Sequence, residues 1–395
     1  MALNWMSKRK SITLYPNPAT HSSQPPTRSP PMPKSTIITH RSSIGVHRSD
    51  SARSRGRPFD PDAPATGGGI YGLPFTPAEA RVVLIPVPWE ATVSYRTGTA
   101  RGPAAILAAS AQVDLFDRET GRPYAQGIAM LPIPKAVAAW NRAARKLAAP
   151  IIRAGGAGKN KKLSQQLAKV NALCEKMNDW VYETAKHWLA QGKMVGLIGG
   201  DHSTPYGLIR AILEKYPDAG ILHLDAHADL RDAYEGFTWS HASILHNVMT
   251  RLPVKQLVQA AIRDFGEAEF SFIEKSGGRI VSFFEADIRR RQFAGEPFEK
   301  IAQAIVAALP RQVYLSFDID GLDPVLCPHT GTPVPGGLSF AEVCALSRAV
   351  RESGREIVGF DLNEVAPGPR GDEWDANVAA RLLYKMIGWA VMEKA

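Results

Sequence analysis

Three short polar stretches, each at the end of an apolar run, constrain this chain more than any other feature. They read Gly199-Gly200-Asp201-His202-Ser203, Asp225-Ala226-His227-Ala228-Asp229 and Asp318-Ile319-Asp320. Side chains at i, i+2 and i+4 of an extended backbone fall on one side. One strand tip can therefore aim Asp225, His227 and Asp229 at a common point. A second tip can aim Asp318 and Asp320 there, and a neighbouring loop can bring His202. A fold that unites them must lay distant segments of the chain side by side.

The surrounding pattern supplies such a fold. Short, nearly continuous apolar runs at 82–87, 194–198, 220–224, 256–262, 280–284, 313–319 and 357–362 read as strands buried on both faces. Helical patterns at 104–110, 163–190, 206–215, 299–308, 340–352 and 376–392 alternate with them. This alternation predicts an α/β protein with a parallel sheet covered by helices on both faces. Ligands then gather at the carboxyl ends of the strands, where all three polar stretches sit. Residues 131–165 break the pattern with proline-bounded turns, a helical stretch around Trp140 and a glycine-rich run. They read as a surface excursion with no assignable chemistry.

Composition removes several alternatives. The net charge of +9 looks like a nucleic-acid signal until it is located. Residues 1–58 hold ten Lys/Arg against one acid, Asp50, and so account for the whole excess. The rest is formally neutral and has no overall positive field to steer nucleic acid. Residues 1–70 are rich in Ser, Pro and Arg and read as a disordered or draped basic extension, with the catalytic domain at 71–395. Such a start also has the composition of an organellar transit peptide; without one, the chain is expected in the cytoplasm. Cys174, Cys327 and Cys344 form no spaced pair, which argues against a disulfide framework or a zinc ribbon. No apolar run approaches the roughly 18 residues of a membrane span.

Four carboxylates and two imidazoles converging at strand ends would repel one another and be poorly solvated without cations. Two divalent ions match the four negative charges of Asp225, Asp229, Asp318 and Asp320. The oxygen and nitrogen donors suit Mn²⁺, Ni²⁺ or similar ions. Such a pair lowers the pKa of a shared water and makes it a nucleophile.

The motifs resemble the ureohydrolase family of arginase, agmatinase and relatives over roughly residues 80–392. The resemblance rests on the three stretches, on Thr330-Gly331-Thr332-Pro333-Val334-Pro335-Gly336-Gly337 after Asp318-Ile319-Asp320-Gly321, and on Asn363-Glu364-Val365-Ala366-Pro367. It implies a three-layer α/β/α fold with a parallel central sheet, assembled as trimers or hexamers. It further implies one metal held by His202, Asp225, Asp229 and Asp318, and another held by Asp225, His227, Asp318 and Asp320. His241 matches the histidine that moves protons near the leaving amine, a task suited to an imidazole. Glu364 matches the carboxylate that pairs with the substrate guanidinium.

Three departures argue against arginase itself. Arg231, Phe237 and Gly266 stand where that branch carries polar residues that hold an amino acid. Bulky Phe237 and Trp239, with Thr97 and Thr332 as hydrogen-bonding candidates, suggest a small closed pocket. The long chain, the 131–165 excursion and segments 89–95 and 372–377 resemble the bacterial guanidine hydrolases. That reading implies cleavage of free guanidine to urea and ammonia, with nickel brought by delivery proteins. Agmatinase or guanidinobutyrase, with manganese and a longer amine product, is the alternative. A non-catalytic subunit of the same fold is a rival of another class, as are a single-zinc deacetylase and a nucleic-acid protein acting through the tail. The full set of candidate ligands with His241 and Glu364 argues against the first.

Overall fold

The computed structural model describes residues 59–65 and 68–392. Of the expected basic extension, residues 1–70, residues 1–58, 66 and 67 lie outside them. Eight strands form one sheet: β1 (Val82–Pro86), β2 (Ile128–Met130), β3 (Met194–Ile198), β4 (Gly220–Leu224), β5 (Leu257–Ile262), β6 (Ile280–Phe284), β7 (Gln312–Asp318) and β8 (Glu356–Asn363). Every pairing is parallel, in the order β2-β1-β3-β8-β7-β4-β5-β6. Outward from the central pair β8 and β7 lie β3, β1 and β2 on one side and β4, β5 and β6 on the other, and the chain crosses the pair between β3 and β4. The central neighbours β3, β8, β7 and β4 therefore straddle a reversal of strand order, where an open parallel sheet leaves a crevice at its carboxyl edge.

Among the described residues, ten α-helices cover the sheet: α1 (Gly102–Ser110), α2 (Lys135–Arg153), α3 (Lys161–Ala190), α4 (Tyr206–Lys215), α5 (Ile244–Arg251), α6 (Glu267–Glu274), α7 (Glu285–Phe293), α8 (Phe298–Ala307), α9 (Phe340–Glu352) and α10 (Trp374–Val391). Two buried clusters lie on opposite faces. One gathers Ile106 of α1, Ile301 and Ile305 of α8, Leu346 of α9 and Leu383 of α10. The other gathers Ala144 of α2, Val181 of α3, Leu208 of α4 and Val248 of α5. Alternate strand residues feed the two: Tyr314 belongs to the second, and Val313 and Leu315 to the first. The result is the expected three-layer α/β/α fold.

The structure corrects the reading of 131–165. Nineteen of these residues form α2, which buries Val137, Ala144, Ala148 and Ile151 in the second cluster against α3. Two prolines at the start and Pro150 inside the helix argue against a long helix in the sequence, although its buried residues fall on one face. Strand β2 has three residues and pairs only with β1 at the sheet edge, too short for a periodic signal. Helix α7 buries only Ile288, so it carries almost no apolar stripe. The folded body also begins slightly before residue 71: Ile70 is buried, and the hydroxyl of neighbouring Tyr71 donates to the Ala380 carbonyl at 3.1 Å. Among the described residues, no helix is long and apolar enough to cross a membrane.

Candidate metal centre

The four central strands deliver the candidate residues to one place. His202 follows β3, Asp225, His227 and Asp229 follow β4, Asp318 and Asp320 close β7, and Glu364 follows β8. Two glycines permit the approach. A Cβ on Gly200 would lie 1.7 Å from the Trp89 carbonyl oxygen, and one on Gly321 would lie 2.8 Å from the Asp225 nitrogen. Asp229 and Glu364 hold φ values of 55° and 62°, a left-handed backbone that non-glycine residues seldom adopt. Such outliers persist where surrounding structure over-determines them.

The donor atoms converge. His202 Nδ1 lies 3.0 Å from Asp225 Oδ2, 3.3 Å from Asp229 Oδ2 and 3.4 Å from Asp318 Oδ2. His227 Nδ1 lies 3.1 Å from Asp320 Oδ2 and 3.5 Å from Asp225 Oδ1. Asp225 therefore stands between the two groups. All four carboxylates are buried, and among the described residues no Lys or Arg forms an ion pair with any of them. Burial, then the neighbouring Asp225, pushes Asp229 up to about 7. Burial, then Asp320 and Asp225, holds Asp318 well above the usual carboxylate range. Burial opposes charge on His202 and His227, yet the facing carboxylates outweigh it and hold both well above the ordinary histidine value. A buried, acid-rich cradle of oxygen and imidazole donors is compatible with divalent cations.

Five supporting residues escaped the sequence reading. Gln259 donates to the Ala228 carbonyl (2.8 Å) and accepts from Ser282, which orients its amide. Its nitrogen also lies 3.0 Å from His223 Nδ1, so that ring nitrogen accepts and His223 Nε2–H is left to donate to Asp225 Oδ2 at 2.9 Å. Burial, opposed by Asp225, keeps His223 below the ordinary value, consistent with this neutral tautomer. On the other flank, His202 Nε2 lies 3.0 Å from Ser316 Oγ, and Ser316 donates to Asp361 at 3.1 Å. The chain of donors leaves His202 Nδ1 aimed into the cradle. A signal existed: His223 and Ser316 continue the two-residue alternation back from Asp225 and Asp318.

Glu364 Oε1 accepts the His202 N–H at 2.9 Å, and the Glu364 carbonyl accepts from the Thr330 hydroxyl at 2.8 Å. Among the described residues, no hydrogen bond reaches Glu364 Oε2. Thr332 donates to Asp320 Oδ2 at 3.3 Å. His241 opens a 3-10 turn (His241–Ser243), where burial, then the imidazoles of His227 and His202, lowers it to about 4.

A cavity of about 190 Å³ opens above these groups. His202, His227, Asp229, Asp318, His241, Thr332 and Glu364 line it, and it continues past Ser94, Tyr234, Arg231, Asp264 and Glu269. Of the expected pocket residues, Thr332 is there, and three are placed elsewhere. Phe237 is fully buried in the helix-covered core, and Trp239 packs edge-on against Tyr206 at 4.8 Å with Arg251 over its ring. Thr97 is exposed and lies outside the lining. The aromatic bulk thus supports the cleft's scaffold and does not fill its channel.

Comparison with known proteins finds relatives along most of the chain. The family model described as the arginase family matches residues 80–388. An N(1)-aminopropylagmatine ureohydrolase of Thermus thermophilus is 35% identical over 323 residues, 81% of this chain and 94% of that protein. An agmatinase of Bacillus anthracis is 28% identical, covering 79% of this chain and 92% of its own length. The solved structure of agmatine ureohydrolase from Thermoplasma volcanium shares the fold, with a TM-score of 0.63 at 23% identity over 82% of this chain and 94% of that one.

Proposed function

The chain belongs to the arginase family and acts on a guanidino carbon–nitrogen bond; from that premise we propose that its substrate is a linear alkylguanidine of the agmatine class, cleaved to urea and a longer amine. One observation carries the choice over free guanidine. The cleft that Glu364 lines is lined also by Tyr234 and by Asp264, whose Oδ2 lies 4.0 Å from His227 Nε2, while Phe237 and Trp239 lie in the core and outside its lining. An alkyl tail has a place there, and the exposed Asp264 carboxylate can meet a terminal ammonium. The names of the relatives, agmatinase and aminopropylagmatine ureohydrolase, support the same reading.

His202, Asp225, Asp229 and Asp318 would hold one divalent ion, and Asp225, His227, Asp318 and Asp320 the other. When bound, the pair supplies an activated water and neutralises charge on the reacting centre. Glu364 Oε2 accepts an N–H of the planar guanidinium and fixes its face toward the acidic cradle. His223 and Ser316 keep the donor atoms aimed, so little reorganisation accompanies reaction. Neutral His241, with one donor and one acceptor nitrogen, can take a proton from the cleft and pass it to the departing amine.

Urea release from agmatine, guanidine, 4-guanidinobutyrate and arginine tests this, with protein reconstituted separately with manganese and nickel. We expect agmatine to exceed guanidine in kcat/KM with manganese. Guanidine turnover equal to or above that of agmatine, above all with nickel, would return the assignment to a guanidine hydrolase.

A further inference from the structure

Helices α2 and α3 pack as a hairpin, and each arm hydrogen-bonds a segment that carries a residue of the cleft. Asn141 and Arg145 lie one turn apart on α2 and so share a face. Asn141 sits in the buried stripe between Val137 and Ala144, an expensive place for an amide without a partner. Its Oδ1 accepts from the Glu90 nitrogen at 2.9 Å. Arg145 Nη1 donates to the Val93 carbonyl and, at 3.5 Å, to that of Ala91. Glu90 Oε2 in turn accepts from the nitrogens of Gly98 (2.6 Å) and Ala100 (3.3 Å). Residues 90–100 are thereby closed into a bracket anchored on α2, with Ser94 on the cleft. On the other arm, Asn171 of α3 accepts from the Thr238 nitrogen at 3.3 Å, four residues after Tyr234, which also lines the cleft.

Among the described residues Arg145 forms no ion pair. Its charge instead strengthens hydrogen bonds to loop carbonyls. We propose that Asn141 and Arg145 are positioning residues that set the height of residues 90–100 over the cleft, and through it the grip on the substrate tail. The proposal rests on the alkylguanidine reading for its substrate. The candidate metal ligands lie on other elements, so losing the bracket should disturb tail binding more than the chemical step.

The test compares Arg145→Met, Arg145→Lys and Asn141→Leu with Arg142→Met, an exposed neighbour on the same helix. In Arg145→Met we expect KM for agmatine to rise about tenfold, with kcat within about twofold and metal content unchanged. Trypsin should cut faster after Arg96, exposed within the loop. Arg145→Lys should restore most of both, and Arg142→Met should change neither. A fall in kcat at constant KM, or an unchanged rate of cleavage at Arg96, would overturn the proposal. If the wild-type protein released urea from no alkylguanidine, the substrate reading would fall, and the trypsin rates alone would decide the positioning role.

Discussion

Glu364 reaches the cleft from a backbone at φ 62°, held by its nitrogen on the Gly200 carbonyl and its carbonyl under Thr330. So constrained a carboxylate presents one oxygen to His202 and leaves the other open. Glu364→Gln keeps the shape and removes the charge. It should lower kcat/KM for agmatine roughly 10²-fold while sparing metal content, measured by urea release and elemental analysis. Loss of metal in that variant would make Glu364 a structural acid and not a guanidinium partner. His223 tests the opposite corner. His223→Phe strips Asp225 of its buried donor and should weaken metal affinity about 10- to 100-fold, read by chelator competition; unchanged affinity would reduce His223 to core filling. The candidate ligands were legible in sequence because their period of two ends in polar side chains. His223 and Ser316 share the period but sit inside strands β4 and β7, where a single polar residue does not stand out.

At the scale of elements, seven of the eight strands described and the long helices were legible because burial on both faces leaves unbroken apolar stretches. Helix α2 was legible only as a helical stretch around Trp140 and not as a core element, since the flanking prolines and Pro150 argue against a long helix. Its place between α3 and the 90–100 loop depends on contacts that no local pattern encodes. The same limit misled the reading of Phe237 and Trp239. Sequence distance to His241 placed them near the site, whereas the turn pairing Tyr234 with Phe237 sends Tyr234 to the cleft and Phe237 into the core. Ile151 distinguishes a core helix from a surface excursion. It is fully buried on α2, so Ile151→Ala should cost about 2–5 kcal/mol of unfolding free energy. A surface position would change by no more than about 0.5 kcal/mol. Urea titration decides between them.

For the whole molecule, the acid-rich centre couples stability to both pH and metal. Asp229 rises from the ordinary 3.8 to about 7 in the fold, and Asp318 rises well above 3.8. Across that window the metal-free folded state binds more protons than the unfolded chain, so its stability falls as pH rises. His202 and His227, raised above 6.5, act in the same sense: their contribution is full below that value and is lost as pH climbs through their folded values. Asp225, held well below 3.8 against its burial by His223 and His202, is charged in both states near neutrality and adds no slope there. Metal reverses the sign. Cations require deprotonated donors, so their affinity, and the stability that binding confers, grows with pH. The Tm of metal-stripped protein should therefore fall between about pH 5.5 and about pH 8, and the gap to the metal-loaded form should widen over the same range. Differential scanning calorimetry of both forms across that range measures the gap. A gap that stays constant or narrows would mean that these carboxylates and imidazoles do not share a cation, and the candidate centre would lose its chemical basis.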